Sequence, residues 1–75
     1  MDAFLNYVVK NLVSNPEEVV ISRHEDGDKV TYHIGANRRD LGKVIGKNGQ
    51  VISAIRDLVQ AVAPADQRVF VEVVD

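Results

Sequence analysis

The chain of 75 residues has room for one domain and one small core, and its 45% hydrophobic and 27% charged residues are ordinary for a soluble globular protein. It contains no cysteine, which excludes disulfides and thiolate metal sites and points to a reducing, cytoplasmic setting. No run approaches the ~20 apolar residues of a membrane span, the N-terminus Met1-Asp2-Ala3-Phe4-Leu5-Asn6 does not read as a signal peptide, and a net charge of −2 argues at first sight against a nucleic-acid partner.

From Asp2 to Val13 the apolar residues Leu5, Val8, Val9 and Leu12 follow the i, i+3, i+4, i+7 spacing of an amphipathic helix, with Phe4 and Val13 widening the face. Asn15-Pro16 stops it, because the residue before a proline avoids the helical region. Glu18–Glu25 and Lys29–Gly35 are rich in β-branched residues, and Asp26-Gly27 between them predicts the turn of a β-hairpin. In the second strand Val30, Tyr32 and Ile34 point to the core, Thr31 and His33 to the other face. Asn37 is placed to cap a short helix from about Arg38 to Ile45. A longer helix from about Gln50 to Val62 ends before Pro64, and a last strand runs from Arg68 to Val74. The order is αββααβ over a single domain, residues 1–75.

Between the two consecutive helices lies Gly46-Lys47-Asn48-Gly49. Glycines at both ends permit a tight reversal and leave no side chain to hold a phosphate away from the backbone amides. The segment is not a Walker A loop, since Asn48 follows Gly46-Lys47 and Leu41 stands where the first glycine belongs; nor is it a dinucleotide fingerprint, since residue 44 is valine. Charge singles out the same place. Residues 38–56 hold five cations (Arg38, Arg39, Lys43, Lys47, Arg56) and one anion (Asp40), a net +4 inside an acidic chain. Local potential decides where a polyanion docks, although the same cations would also serve merely solvated helix ends.

The second long helix carries an apolar arc of roughly 200°, wider than the ~100° stripe of a surface helix. Ile52, Ile55 and Val59 lie on one side of it; Val51, Ala54, Leu58 and Ala61 lie on the other. One side is expected to face the sheet and the other a second copy of the chain, the remaining reading being a helix buried all round. Elsewhere the chemistry is bland. His24 and His33 sit on paired strands without a third convergent ligand, so no metal is assigned. The carboxylates of Glu17-Glu18 and Glu25–Asp28 read as a helix exit and a hairpin tip. Ser14, Ser22 and Ser53 have no histidine at a useful spacing, so no enzyme and no cofactor is expected.

The pattern Val44-Ile45-Gly46-x-x-Gly49-x-x-Ile52-x-x-Ile55, set between two helices of an αββααβ chain, resembles a KH domain. The closest resemblance is to the small bacterial single-KH RNA-binding proteins of the KhpA type, and it covers essentially the whole chain. It implies an α+β, type II KH fold: a three-stranded mixed sheet with the helices on one face, Lys29–Gly35 central, antiparallel to its hairpin partner and parallel to the last strand. It also implies a clamp for about four nucleotides of single-stranded RNA. Carried onto this chain, Gly46, Lys47, Asn48 and Gly49 hold the phosphates, Lys43 adds a second cation, and Gly42, Val44 and Ile45 line the groove for the bases. Without aromatic platforms there, binding is expected to be weak and tolerant of sequence. The resemblance further implies an RNA chaperone or post-transcriptional regulator linked to cell shape, acting as a dimer or with a larger KH-containing protein. The alternative is a protein-interaction adaptor whose KH fold has lost RNA binding, which the net acidity and the broad apolar helix would suit.

Overall fold

The computed structural model describes residues 1–74; Asp75, the last residue of the expected domain, lies outside the described residues. Helix α1 (Asp2–Leu12) leads through a 3-10 turn at Pro16–Glu18 to strand β1 (Val20–Asp26) and strand β2 (Lys29–Gly35). A second 3-10 turn at Arg38–Asp40 opens helix α2 (Leu41–Ile45), a third at Lys47–Gly49 opens helix α3 (Gln50–Val62), and strand β3 (Arg68–Val73) ends the fold. The sheet order is β1-β2-β3, with β1 antiparallel to β2 and β2 parallel to β3. A parallel pair needs a long crossover, and the two consecutive helices supply it. This is an α+β fold with the strand order of a type II KH domain.

Strands β2 and β3 sort their side chains by alternation, whereas β1 buries none of its residues fully. Val30, Tyr32 and Ile34 of β2 and Val69 and Val71 of β3 are buried toward the helices. Leu5 and Val9 of α1, Val44 of α2, and Ile52, Ile55 and Val59 of α3 close the same core, with Phe4, Val8, Leu12 and Val73 packed at its margin. On the opposite face His33 Nε2 lies 3.1 Å from Glu72 Oε2, the His24 and His33 rings meet edge to face at 6.0 Å, and Lys29 Nζ stands 5.2 Å over the Phe70 ring. At the free edge of β3 two α3 side chains satisfy strand carbonyls. Arg56 Nε donates to Val71 O at 2.9 Å and Gln60 Nε2 donates to Val69 O. An unpaired edge invites pairing with other chains, and these contacts blunt it.

Five boundaries depart from the sequence reading, the first being that α1 ends at Leu12 with Val13 extended. The hairpin turn is Gly27-Asp28, not Asp26-Gly27, because Asp26 pairs with Lys29. Gly27 alone takes a positive φ of 63° there, so the glycine occupies the first turn position. Strand β1 starts at Val20 rather than Glu18, since Pro16 opens a tight turn in which Glu18 N donates to Asn15 O at 3.0 Å and Val19 N to Pro16 O at 3.2 Å. The helix expected over Arg38–Ile45 is split: Asn37 caps it by accepting from Arg39 N at 2.9 Å, but Arg38–Asp40 is wound tighter than α2. At the far end β3 stops at Val73, although Val74 N still donates to Ile34 O at 2.9 Å.

Candidate nucleic-acid interface

Helix α2 ends at Gly46, whose N–H donates to Gly42 O at 2.8 Å before the chain reverses. Gly46 has φ 77° and ψ 171°, a region that essentially only glycine occupies. A β-carbon there would also run into Val51, coming within 2.8 Å of its backbone nitrogen. Asn48 (φ 57°) and Gly49 (φ 73°) are both left-handed, and asparagine is among the few side-chain-bearing residues that tolerate this. Gly49 N donates back to Gly46 O at 3.1 Å, closing the turn.

A 3-10 turn leaves its first N–H groups without acceptors inside it, and here those belong to Lys47 and Asn48 at the exposed tip. Directly behind them starts α3, thirteen residues long, with no acidic side chain in its first turn. Its positive dipole end therefore adds to the loop's donors. Gly42 stands exposed one turn before Gly46, and a β-carbon added to it meets nothing within 4 Å. Nothing in the packing requires glycine at that position, and its bare backbone leaves room beside the loop. Ile45, 39% exposed, supplies the apolar surface next to it. Donors, a cation and an adjacent apolar surface suit a ligand with a phosphate and a flat apolar body.

The eight residues singled out from the sequence thus fall on one continuous segment, but they do not all face solvent. Val44 is fully buried in the core, because its place on α2 turns it toward the sheet. It therefore does not line a surface, a correction to the sequence reading. Lys43 is turned sideways: its ammonium donates to Ser14 Oγ and lies 3.3 Å from Asp40 Oδ1. Arg38, Arg39, Lys47 and Arg56 are exposed, and among the described residues Lys43 is the one cation of the basic segment found in an ion pair. A cavity of about 430 Å³ is lined by residues such as Arg23, Tyr32 and Val62, away from the glycine loop.

The sequence reading gave no role to Asp40. Its carboxylate, 1% exposed, accepts from Ser14 N (3.1 Å), Asn15 N (3.0 Å) and Asn15 Nδ2 (3.1 Å) besides Lys43. Burial alone would push its pKa up. The hydrogen bonds from Ser14, Asn15 and Lys43 outweigh that and leave it below the ordinary carboxylate range. Folding therefore favours the ionised form, so the stabilisation is present above the unfolded carboxylate's pKa and is lost as pH falls through the lowered value. The one signal in the sequence was that Asp40 is the only anion among five cations.

The chain matches the family model described as the KhpA/KhpB KH domain over residues 2–73. It is 40% identical over 74 residues to a protein named RNA-binding protein KhpA from Oceanobacillus iheyensis, covering 97% of this chain and 99% of that one. A protein of the same name from Chlamydia trachomatis is 41% identical across 100% of this chain and 97% of its own. Another from Listeria monocytogenes is 38% identical across the full length of both. No solved structure gives a significant match.

The loop geometry predicts unequal tolerance of its two glycines. Gly49→Ala should cost about 1–2 kcal/mol for its left-handed backbone. Gly46→Ala should cost a further ~1–3 kcal/mol, because Val51 must also give way. Urea unfolding of the two variants checks the order, and equal losses would contradict it.

Proposed function

Since the chain belongs to the KhpA/KhpB KH-domain family, we propose that it binds single-stranded RNA, with the Gly46–Gly49 loop gripping the sugar–phosphate backbone. The observation that carries this reading is the loop itself. Lys47 and Asn48 present unpartnered amides at an exposed tip, an uncompensated Lys47 stands beside them, and Gly42 leaves open space one turn away. Phosphates sit against Gly46, Lys47, Asn48 and Gly49, while bases lie over Gly42 and Ile45, with Val44 fixing the floor. No aromatic ring is among these residues, so affinity is modest and sequence preference broad. The relatives named for RNA binding, similar along their whole length, support the same reading. A role in the cytoplasm as an RNA chaperone or post-transcriptional regulator, alone or with a larger KH-containing partner, is in keeping with it.

The protein works as a dimer on this reading, through the outer face of α3. Leu58 and Val62 are 50% and 59% exposed there, with Ala54 and Ala61 on the same outward side, while Ile52, Ile55 and Val59 are buried against the sheet. Two weak sites on one RNA raise the effective affinity without new contacts.

A Lys47→Asp, Asn48→Asp double variant tests the RNA site. Both positions are exposed, so it should keep the native circular dichroism spectrum and lose at least about tenfold in RNA affinity at low salt, where phosphate contacts dominate. Undiminished binding by the folded variant would contradict the proposal. For the dimer, light scattering should find a homodimer in the wild type and a monomer in Leu58→Asp; a monomeric wild type would sink it.

A further inference from the structure

Two lysines lie in the glycine segment, one helical turn apart, yet they differ in what holds them. Lys47 is exposed and in no ion pair. Lys43 is fastened at two points, donating to Ser14 Oγ and lying 3.3 Å from Asp40 Oδ1. Asp40 is in turn the one buried charged residue among those described. Its Oδ1 receives Ser14 N and Lys43, and its Oδ2 receives Asn15 N and Asn15 Nδ2. The carboxylate thus ties the link between α1 and β1 to the start of α2, and among the described residues the ammonium is its one countercharge.

We propose that Asp40 is a positioning residue that holds Lys43 out of the phosphate clamp, so that Lys47 is the one lysine of the loop that meets RNA. The proposal rests on the RNA-binding reading and refines the charge of that site. Moving Lys43 to a phosphate would strip a buried carboxylate of its cation. The pair gained in exchange would be solvent-exposed and screened by salt. An exposed helix lysine is ordinarily free to choose, whereas this one is held by a buried anion and a hydroxyl together. The basic segment therefore looks richer in the sequence than it is at the loop.

Counterion release separates the two lysines. The full chain is titrated with a fluorescein-labelled, mixed-sequence single-stranded RNA across a roughly tenfold range of salt, each phosphate contact adding about 0.7 to the slope of log affinity against log salt. Lys47→Gln should flatten the slope by about 0.7, while Lys43→Gln leaves it at the wild-type value. Asp40→Asn should free Lys43 and steepen the slope by about 0.7, and adding Lys43→Gln to it should reverse that gain. A purely structural role for Asp40 would lower affinity at every salt concentration without this change of slope. The Lys43→Gln arm decides the matter even where Asp40→Asn fails to fold, because Lys43 is 49% exposed and Asp40 keeps its three N–H donors from Ser14 and Asn15. A Lys43→Gln slope as flat as that of Lys47→Gln would overturn the proposal and leave RNA binding standing. A wild-type chain that binds no RNA at any salt would overturn both.

Discussion

The reversal at Gly46 is the constraint from which the rest follows. With φ 77° and ψ 171°, and with Val51 where a β-carbon would go, the backbone turns from α2 into α3 in a space that admits no side chain. That close approach does two things at once. It starts α3 at the angle that sets Ile52, Ile55 and Val59 against the sheet, completing the crossover that makes β2 and β3 parallel neighbours. It also turns the amides of Lys47 and Asn48 outward at the point where the helix begins. Core and site are therefore consequences of one piece of backbone. Only glycine meets both demands.

Electrostatics then divides the segment between structure and function. Asp40 spends its buried carboxylate on Ser14, Asn15 and Lys43. This anchors a five-residue helix that is too short to be stable alone. Among the described residues the other cations of the segment, Arg38, Arg39, Lys47 and Arg56, stay exposed and without an ion pair, so the segment keeps its positive charge. Arg56 also donates to Val71 O and so helps to seal the sheet edge. A small domain has few residues to spare, and several here serve the fold and the charge pattern together.

Much of this was legible in the sequence where periodicity was long and unambiguous. The bounds of α3, Gln50–Val62, follow from its apolar repeat between a glycine turn and Pro64, and its buried side, Ile52, Ile55 and Val59, is one of the two that the spacing sets apart. The inward Val30, Tyr32 and Ile34 follow from simple alternation. The hairpin turn was missed by one residue, since glycine fits more than one turn position and only the cross-strand register decides which. Val44 was misplaced because a five-residue helix offers too few turns for its faces to be told apart. Asp40 was invisible as an anchor because two of its four partners are backbone amides some 25 residues earlier, and pattern reading does not see backbone groups.

In the proposed function one short glycine loop, and no other surface, receives the RNA. The most direct measurement is a titration of the ¹⁵N-labelled chain with single-stranded RNA, followed amide by amide by NMR. The largest shifts should fall on Gly46, Lys47, Asn48 and Gly49, with smaller ones on Gly42 and Ile45. Ser22, Thr31 and His33 on the open face of the sheet should stay still. Shifts centred on that face, or on Ala54 and Leu58 of α3 with the loop unmoved, would contradict it.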